Sequence, residues 1–78
     1  MNPPNLQDCV RANVEAYFKH LDGTEPANVH EMLMHTVEKP LLEVVMSQAQ
    51  NNQSRAAQWL GLNRNTLRKK LIEHGLAE

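Results

Sequence analysis

Near the C-terminal end of the sequence a run of hydrogen-bond donors follows directly on a helix-capping residue: Asn63, then Arg64, Asn65, Thr66, Arg68, Lys69 and Lys70. A guanidinium can donate two parallel hydrogen bonds to O6 and N7 of a guanine edge, and short amides, hydroxyls and ammonium groups donate well to phosphate oxygens. No chemistry of bond-making competes with this: no acid pair, no nucleophile beside a base and no glycine-rich phosphate loop stands out. Recognition of a polyanion is the predicted work. The chain is not expected to be an enzyme or to use a cofactor.

The cations are segregated as well. Of a formal net charge of −1, residues 1–50 carry −4 and residues 51–78 carry +3. A basic cluster alone is most often a solvated helix face, so the pattern around it has to carry the reading.

Four helices are predicted to position these residues. The first follows Pro3-Pro4 with Asn5 as N-cap, repeats Leu6, Val10, Val14, Phe18 and Leu21 at helical spacing, and stops at Gly23. The second opens at Asn28, with Glu31 placed as in a capping box, and buries Val29, Leu33, Val37, Leu41 and Val45 on its way to about Gln50. Pro40 lies inside it and presses on the carbonyl of Thr36, at a cost of about 3 kcal/mol. Because the apolar stripe keeps its phase across Pro40, a kinked long helix is expected rather than two helices. A polar turn through Asn51 and Asn52 then leads into two short helices over residues 53–60 and 64–74, with Gly75 closing the last. The fold class is all-α, with residues 1–50 forming one pair of helices and 51–78 the other.

In the C-terminal pair, Ala57 is small enough to sit where one helix crosses the other, and Gly61 falls where the chain must reverse. Leu60, Leu62, Leu67 and Leu71 are placed to fill the wedge between them. These are the requirements of a helix-turn-helix. Its second helix can enter the major groove of double-stranded DNA with the first turn toward the bases. Arg64, capped by Asn63, is then the expected base reader, while Thr66, Arg68 and Lys69, with Asn52, Gln53 and Ser54 at the head of the preceding helix, suit phosphates. Lys70 is assigned to neither role.

With 78 residues and a single cysteine the core must be thin, and no internal disulfide can reinforce it. Self-association is expected on that ground alone. No apolar run approaches the ~18–20 residues of a membrane span, and Met1-Asn2-Pro3-Pro4 has no features of a signal peptide, so a cytoplasmic protein that makes no membrane contact is expected. His30 and His35 stand five apart, which does not place two imidazoles on one face, and no metal site is predicted. Cys9, Met32, Met34 and Met46 read as core or interface residues, and Trp59 as packed or partly exposed beside the turn.

The segment Asn52-Gln53-Ser54-Arg55-Ala56-Ala57, followed by Gly61-Leu62-Asn63-Arg64-Asn65-Thr66-Leu67-Arg68-Lys69-Lys70-Leu71, resembles the Fis family of bacterial nucleoid-associated proteins. The likeness extends to Pro40-Leu41-Leu42 with Val44-Val45-Met46, and to Tyr17-Phe18 before Leu21-Asp22-Gly23. It implies an intertwined homodimer in which the first two helices of each subunit interlock through Val14, Phe18, Val37, Leu41 and Val45. It also implies two helix-turn-helix units too close together for straight DNA, hence a DNA-bending regulator of transcription in the nucleoid, with degenerate sites and the transcription machinery as a further candidate partner. Ile72 and Glu73 stand where the family continues with lysines, which bears on flanking-DNA contacts. The chain also starts too late to hold the family's recombinase-activating arm, so recombinase activation is not expected. The competing readings are the C-terminal domain of an NtrC-like activator, against which Met1 just before a capped helix suggests a complete product, and a protein-interaction module docking through its acidic half.

Overall fold

The computed structural model describes residues 5–78, and these form four α-helices and no strand: α1 (Leu6–Leu21), α2 (Val29–Gln48), α3 (Gln53–Leu60) and α4 (Arg64–Glu73). Pro3 and Pro4, expected ahead of α1, lie outside the described residues. The chain divides into two compact units between Leu33 and Met34, inside α2.

In the first unit, the Asn5 side chain accepts a hydrogen bond from the Gln7 amide at 2.7 Å, the capping geometry its position predicts. Asp22 and Gly23, both left-handed, end the helix, and the Thr24 amide donates to the Leu21 carbonyl at 3.0 Å. No side chain of α1 is buried, and Leu6 and Phe18 are 70% and 50% exposed. The apolar stripe is therefore present but only partly covered, with Val10, Val14 and Leu21 half-buried. Asn28 enters α2 with φ 54 rather than the extended backbone of a capping residue, and its carbonyl accepts from the Met32 amide.

The second unit holds the core. Leu42 and Ala49 of this part of the chain pack with Ala56, Ala57, Leu67 and Leu71, and Val45, Met46, Leu60, Leu76 and Ala77 lean against them. Leu67 and Leu71 are fully buried, as the wedge requires, while Leu60 and Leu62 are half-buried. α2 runs unbroken through Pro40. Its buried face differs from the one its main stripe suggests: Leu42, not Leu41, enters the core, and Leu41 is 48% exposed. The face turned toward α3 and α4 is the set Glu38, Leu42, Val45 and Ala49, which recurs at four, three and four residues. The expected stripe through Val37 and Leu41 lies one residue away, about 100° around the helix.

All three helix ends in this unit close in the same way. After α3 the Leu62 amide donates to the Ala57 carbonyl (2.9 Å) and the Gly61 amide to Gln58 (3.2 Å). After α4, Leu76 donates to Leu71 (2.7 Å) and Gly75 to Ile72 (3.0 Å). After α2, Asn51 donates to Met46 (2.9 Å) and Gln50 to Ser47 (3.1 Å). Each is a Schellman motif, which needs a left-handed residue at its centre. Gly61 (φ 73) and Gly75 (φ 73) supply it without a Cβ penalty, whereas the α2 end uses Gln50 (φ 55) followed by Asn51 (φ 63).

Opposite effects on stability are expected at these equivalent positions. Gly61→Ala should lose about 1 kcal/mol by forcing a Cβ into the left-handed region, and Gln50→Gly should gain up to about 1 kcal/mol by removing one. Urea unfolding of the two variants beside the parent checks both signs.

Candidate nucleic-acid interface

α3 and α4 are set against each other by small residues and a tight turn. Ala56 and Ala57 are buried, which lets α4 approach the α3 backbone, and the left-handed Gly61 reverses the chain within the few residues between the helices. Asn63 then caps α4, its side-chain oxygen accepting from the Asn65 amide at 2.8 Å. Asn52 caps α3 in the same way, accepting from the Arg55 amide at 3.1 Å.

Burial sorts α4 and its C-cap His74 into two sets. Leu67, Lys70, Leu71 and His74 turn inward, all buried or partly so, while Arg64, Asn65, Arg68, Lys69 and Ile72 are exposed. Thr66 is exposed on the flank, Ser54 and Arg55 are exposed at the head of α3, and Gln53 is half-buried. Asn52 and Asn63 thus have structural work as caps whatever else their amides do. Trp59 is 56% exposed at the end of α3. Glu73 and Ile72 occupy solvent-facing positions in the last turn.

Lys70 is where structure adds what local pattern does not contain. Its ammonium donates to Glu38 Oε2 at 2.8 Å, and His74 Nε2 donates to the other oxygen of the same carboxylate at 2.9 Å. The His74 side chain is fully buried, its Nδ1 has no hydrogen-bond partner, and the ring stacks on His35 at 4.3 Å between centroids. An ionised carboxylate only accepts, so the proton of this contact belongs on Nε2. Hydrogen bonds from Lys70 and then His74 hold the Glu38 carboxyl below its ordinary value of 4.5, and the bond to Glu38 raises Lys70 above 10.5. Sequence separations of 32 and 36 residues place these contacts beyond any helical-period argument. The one legible trace is that Glu38 falls in the same four-three-four series as Leu42, Val45 and Ala49.

Among the described residues no group of three or more His, Cys, Asp or Glu side chains is arranged to hold a metal, and no helix is long and apolar enough to cross a membrane. His30 is exposed, His35 is turned to His74, and Cys9 is half-buried.

A glycine-turned helix pair with a cation-bearing, solvent-facing second helix defines a helix-turn-helix protein of the DNA-binding class. Residues 34–74 match the model of the family described as bacterial regulatory protein, Fis family. Relatives from Neisseria meningitidis serogroups A and B are each 62% identical over 73 residues, spanning 94% of this chain and 92% of theirs. One from Ralstonia nicotianae is 54% identical over 71 residues, spanning 91% of this chain and 92% of its own. All three bear the name "Putative Fis-like DNA-binding protein". The chain belongs to the Fis family.

The pairing of Glu38 also has a pH signature. Its folded-state value is depressed, so its contribution to stability is present above 4.5 and is lost as pH falls through the folded value. That of Lys70 is present below 10.5 and is lost as pH rises through its raised folded value. Urea midpoints of the parent should therefore fall on the acid side of 4.5 more steeply than those of Glu38→Gln, which has no carboxylate to protonate there.

Proposed function

We propose that this protein is a nucleoid-associated, DNA-bending regulator of transcription that binds degenerate sites in double-stranded DNA as a homodimer. The observation that carries the reading is the two-faced α4: Leu67 and Leu71 are fully buried, while Arg64, Arg68 and Lys69 face solvent. Cations on a helix anchored this firmly are available to a groove and cannot retreat into the core.

Roles follow from chemistry and place. Arg64, in the first turn of α4, reads a guanine edge with its guanidinium. Thr66, Arg68 and Lys69 meet phosphates on one side, and Gln53, Ser54 and the amides of the capping residues Asn52 and Asn63 meet them at the helix starts. Lys70, already paired with Glu38, is left out of the contact set.

Dimerisation is supported by what the chain leaves uncovered. Phe18, Leu41 and Val44 are 50%, 48% and 61% exposed, and Val14 and Val37 are half-buried. Apolar side chains exposed in this number on so small a chain need a partner surface. In this reading the helices of residues 1–50 interlock between subunits, with α2 kinked at Pro40, and residues 51–78 supply paired helix-turn-helix units. Val45 has a share in both roles, since it also leans on the subunit's own core. Half-sites spaced below the usual ~34 Å oblige the DNA to curve, at about 1–6 kcal/mol, so flexible steps and a compressible centre are selected. The cell's nucleoid is the place of action, and the transcription machinery is a further partner.

Gel mobility on circularly permuted duplexes tests binding and bending together: mobility should vary with the position of the site in the fragment, and position-independent mobility would remove the bending. On the same duplexes Arg64→Ala should lose about 1–3 kcal/mol on good sites and flatten base preference, whereas Lys69→Ala should weaken every sequence alike and lower the salt slope by about one. An equal, uniform effect of both changes would refute the division of roles. Leu41→Asp, exposed within the chain and thus harmless to its own core, should shift the protein to monomer by sedimentation at micromolar concentration.

A further inference from the structure

The Glu38 carboxylate ties the helix that carries the proposed dimer face to the helix that carries the proposed base-reading face. Val37 and Leu41 flank it along α2, while its two oxygens are taken by Lys70 and His74, one turn apart on the inner side of α4. Apolar packing by Leu42, Leu67 and Leu71 holds α4 close but tolerates small slides and rolls. The bond from the buried His74 ring to the carboxylate does not, because a planar imidazole fixes both a distance and a direction, and the Lys70 ammonium, on a flexible stem, adds its charge to the other oxygen. The buried imidazole, stacked on His35 of α2, gives one of these anchors little freedom of its own.

We propose that Glu38 is a positioning residue that sets which separation of half-sites the dimer accepts, by fixing the register of α4 on α2 through Lys70 and His74. The inference rests on the reading of the protein as a dimeric DNA binder. Its consequence is specificity without base contact. Arg64 decides which base is read, while Glu38 decides how far apart two such readings must lie and therefore how strongly DNA has to curve.

The test uses the full chain and fluorescence anisotropy on a duplex series with identical half-sites whose separation changes one base pair at a time, together with a random duplex of equal length. The parent is expected to prefer one separation over neighbours by about tenfold or more. Glu38→Gln should flatten that preference to under about threefold. It should bind the random duplex as well as the parent or better, since a negative charge is removed and the Lys70 ammonium is released to phosphate. His74→Leu, an apolar side chain in a buried place, should also flatten the preference, and His74→Gln, which keeps an N–H donor, should restore it. A full spacing preference in Glu38→Gln or His74→Leu overturns the proposal. So does equal loss on every duplex, the random one included, which is the mark of a merely structural role. Should Glu38→Gln lack helical circular dichroism, His74→Leu decides alone. A parent that binds DNA without any spacing preference overturns the positioning role and leaves the DNA-binding reading standing, whereas a parent that binds no duplex removes that reading itself.

Discussion

How closely α4 can approach α3 governs what the rest of the molecule can do. Three large side chains, Leu42, Leu67 and Leu71, are interleaved with three alanines, Ala49, Ala56 and Ala57, and all six are buried. Large against small is how a thin core reaches native packing density without voids. A methylene added at Ala56 or Ala57 would push α4 outward, and an empty volume at Leu67 would let it sink. The left-handed turn at Gly61 belongs to the same constraint, because it brings the chain round quickly enough for the leucines of α4 to reach the alanines of α3. Exposure of Lys69 is then a geometric consequence, since it lies about 160° around α4 from both Leu67 and Leu71; Arg68 falls on the flank, and Arg64, only about 20° from Leu71 by the helical period but two turns earlier, is exposed at the start of the helix.

A second constraint comes from α2, which is apolar on more than one side. One face, through Leu42, Val45 and Ala49, is used by the unit that contains the helix-turn-helix. The other, through Val37, Leu41 and Val44, has no comparable cover, and α1 buries none of its own side chains. Amphipathic surface helices show a single stripe, and a helix that is apolar nearly all round belongs in an interior. In the proposed dimer a second copy supplies that interior. The same helix would then serve two cores, and whatever shifts it in one would be felt in the other.

Local grammar made much of this legible. Asn5 and Asn63 announce helix starts by the chemistry of their side chains, Gly61 and Gly75 announce ends by their backbone freedom, and the leucine period of α4 announces its inner face. Each signal spans only a few residues, so it survives without knowledge of the partner. What was not legible depends on orientation between distant segments. Leu41 and Leu42 are adjacent and chemically alike, and only the position of α4 decides which of them is buried. The expected stripe from Val29 to Val45 is a true periodicity, but it overlaps a second one that begins at Glu38. Asn28 shows another limit: the capping-box spacing to Glu31 is there, yet the backbone before α2 is left-handed. Glu38, Lys70 and His74 were hidden for the same reason, since polar residues 32 and 36 positions apart carry no mark of their pairing.

That pairing alters the electrostatic argument as well. Counting cations after Gln50 credits the C-terminal segment with Arg55, Arg64, Arg68, Lys69 and Lys70, but Lys70 has a carboxylate 2.8 Å from its ammonium and would bring little net field to a phosphate. The whole chain carries only −1, so at long range it presents no attraction to a polyanion, and at physiological ionic strength charges beyond about 8 Å are screened in any case. Attraction must come from the few cations actually in contact. Under those conditions the placement of α4 matters more than the number of its charges. In the proposed positioning role, the Glu38 carboxylate gives up the free charge of Lys70 and in return fixes the placement of Arg64, Arg68 and Lys69.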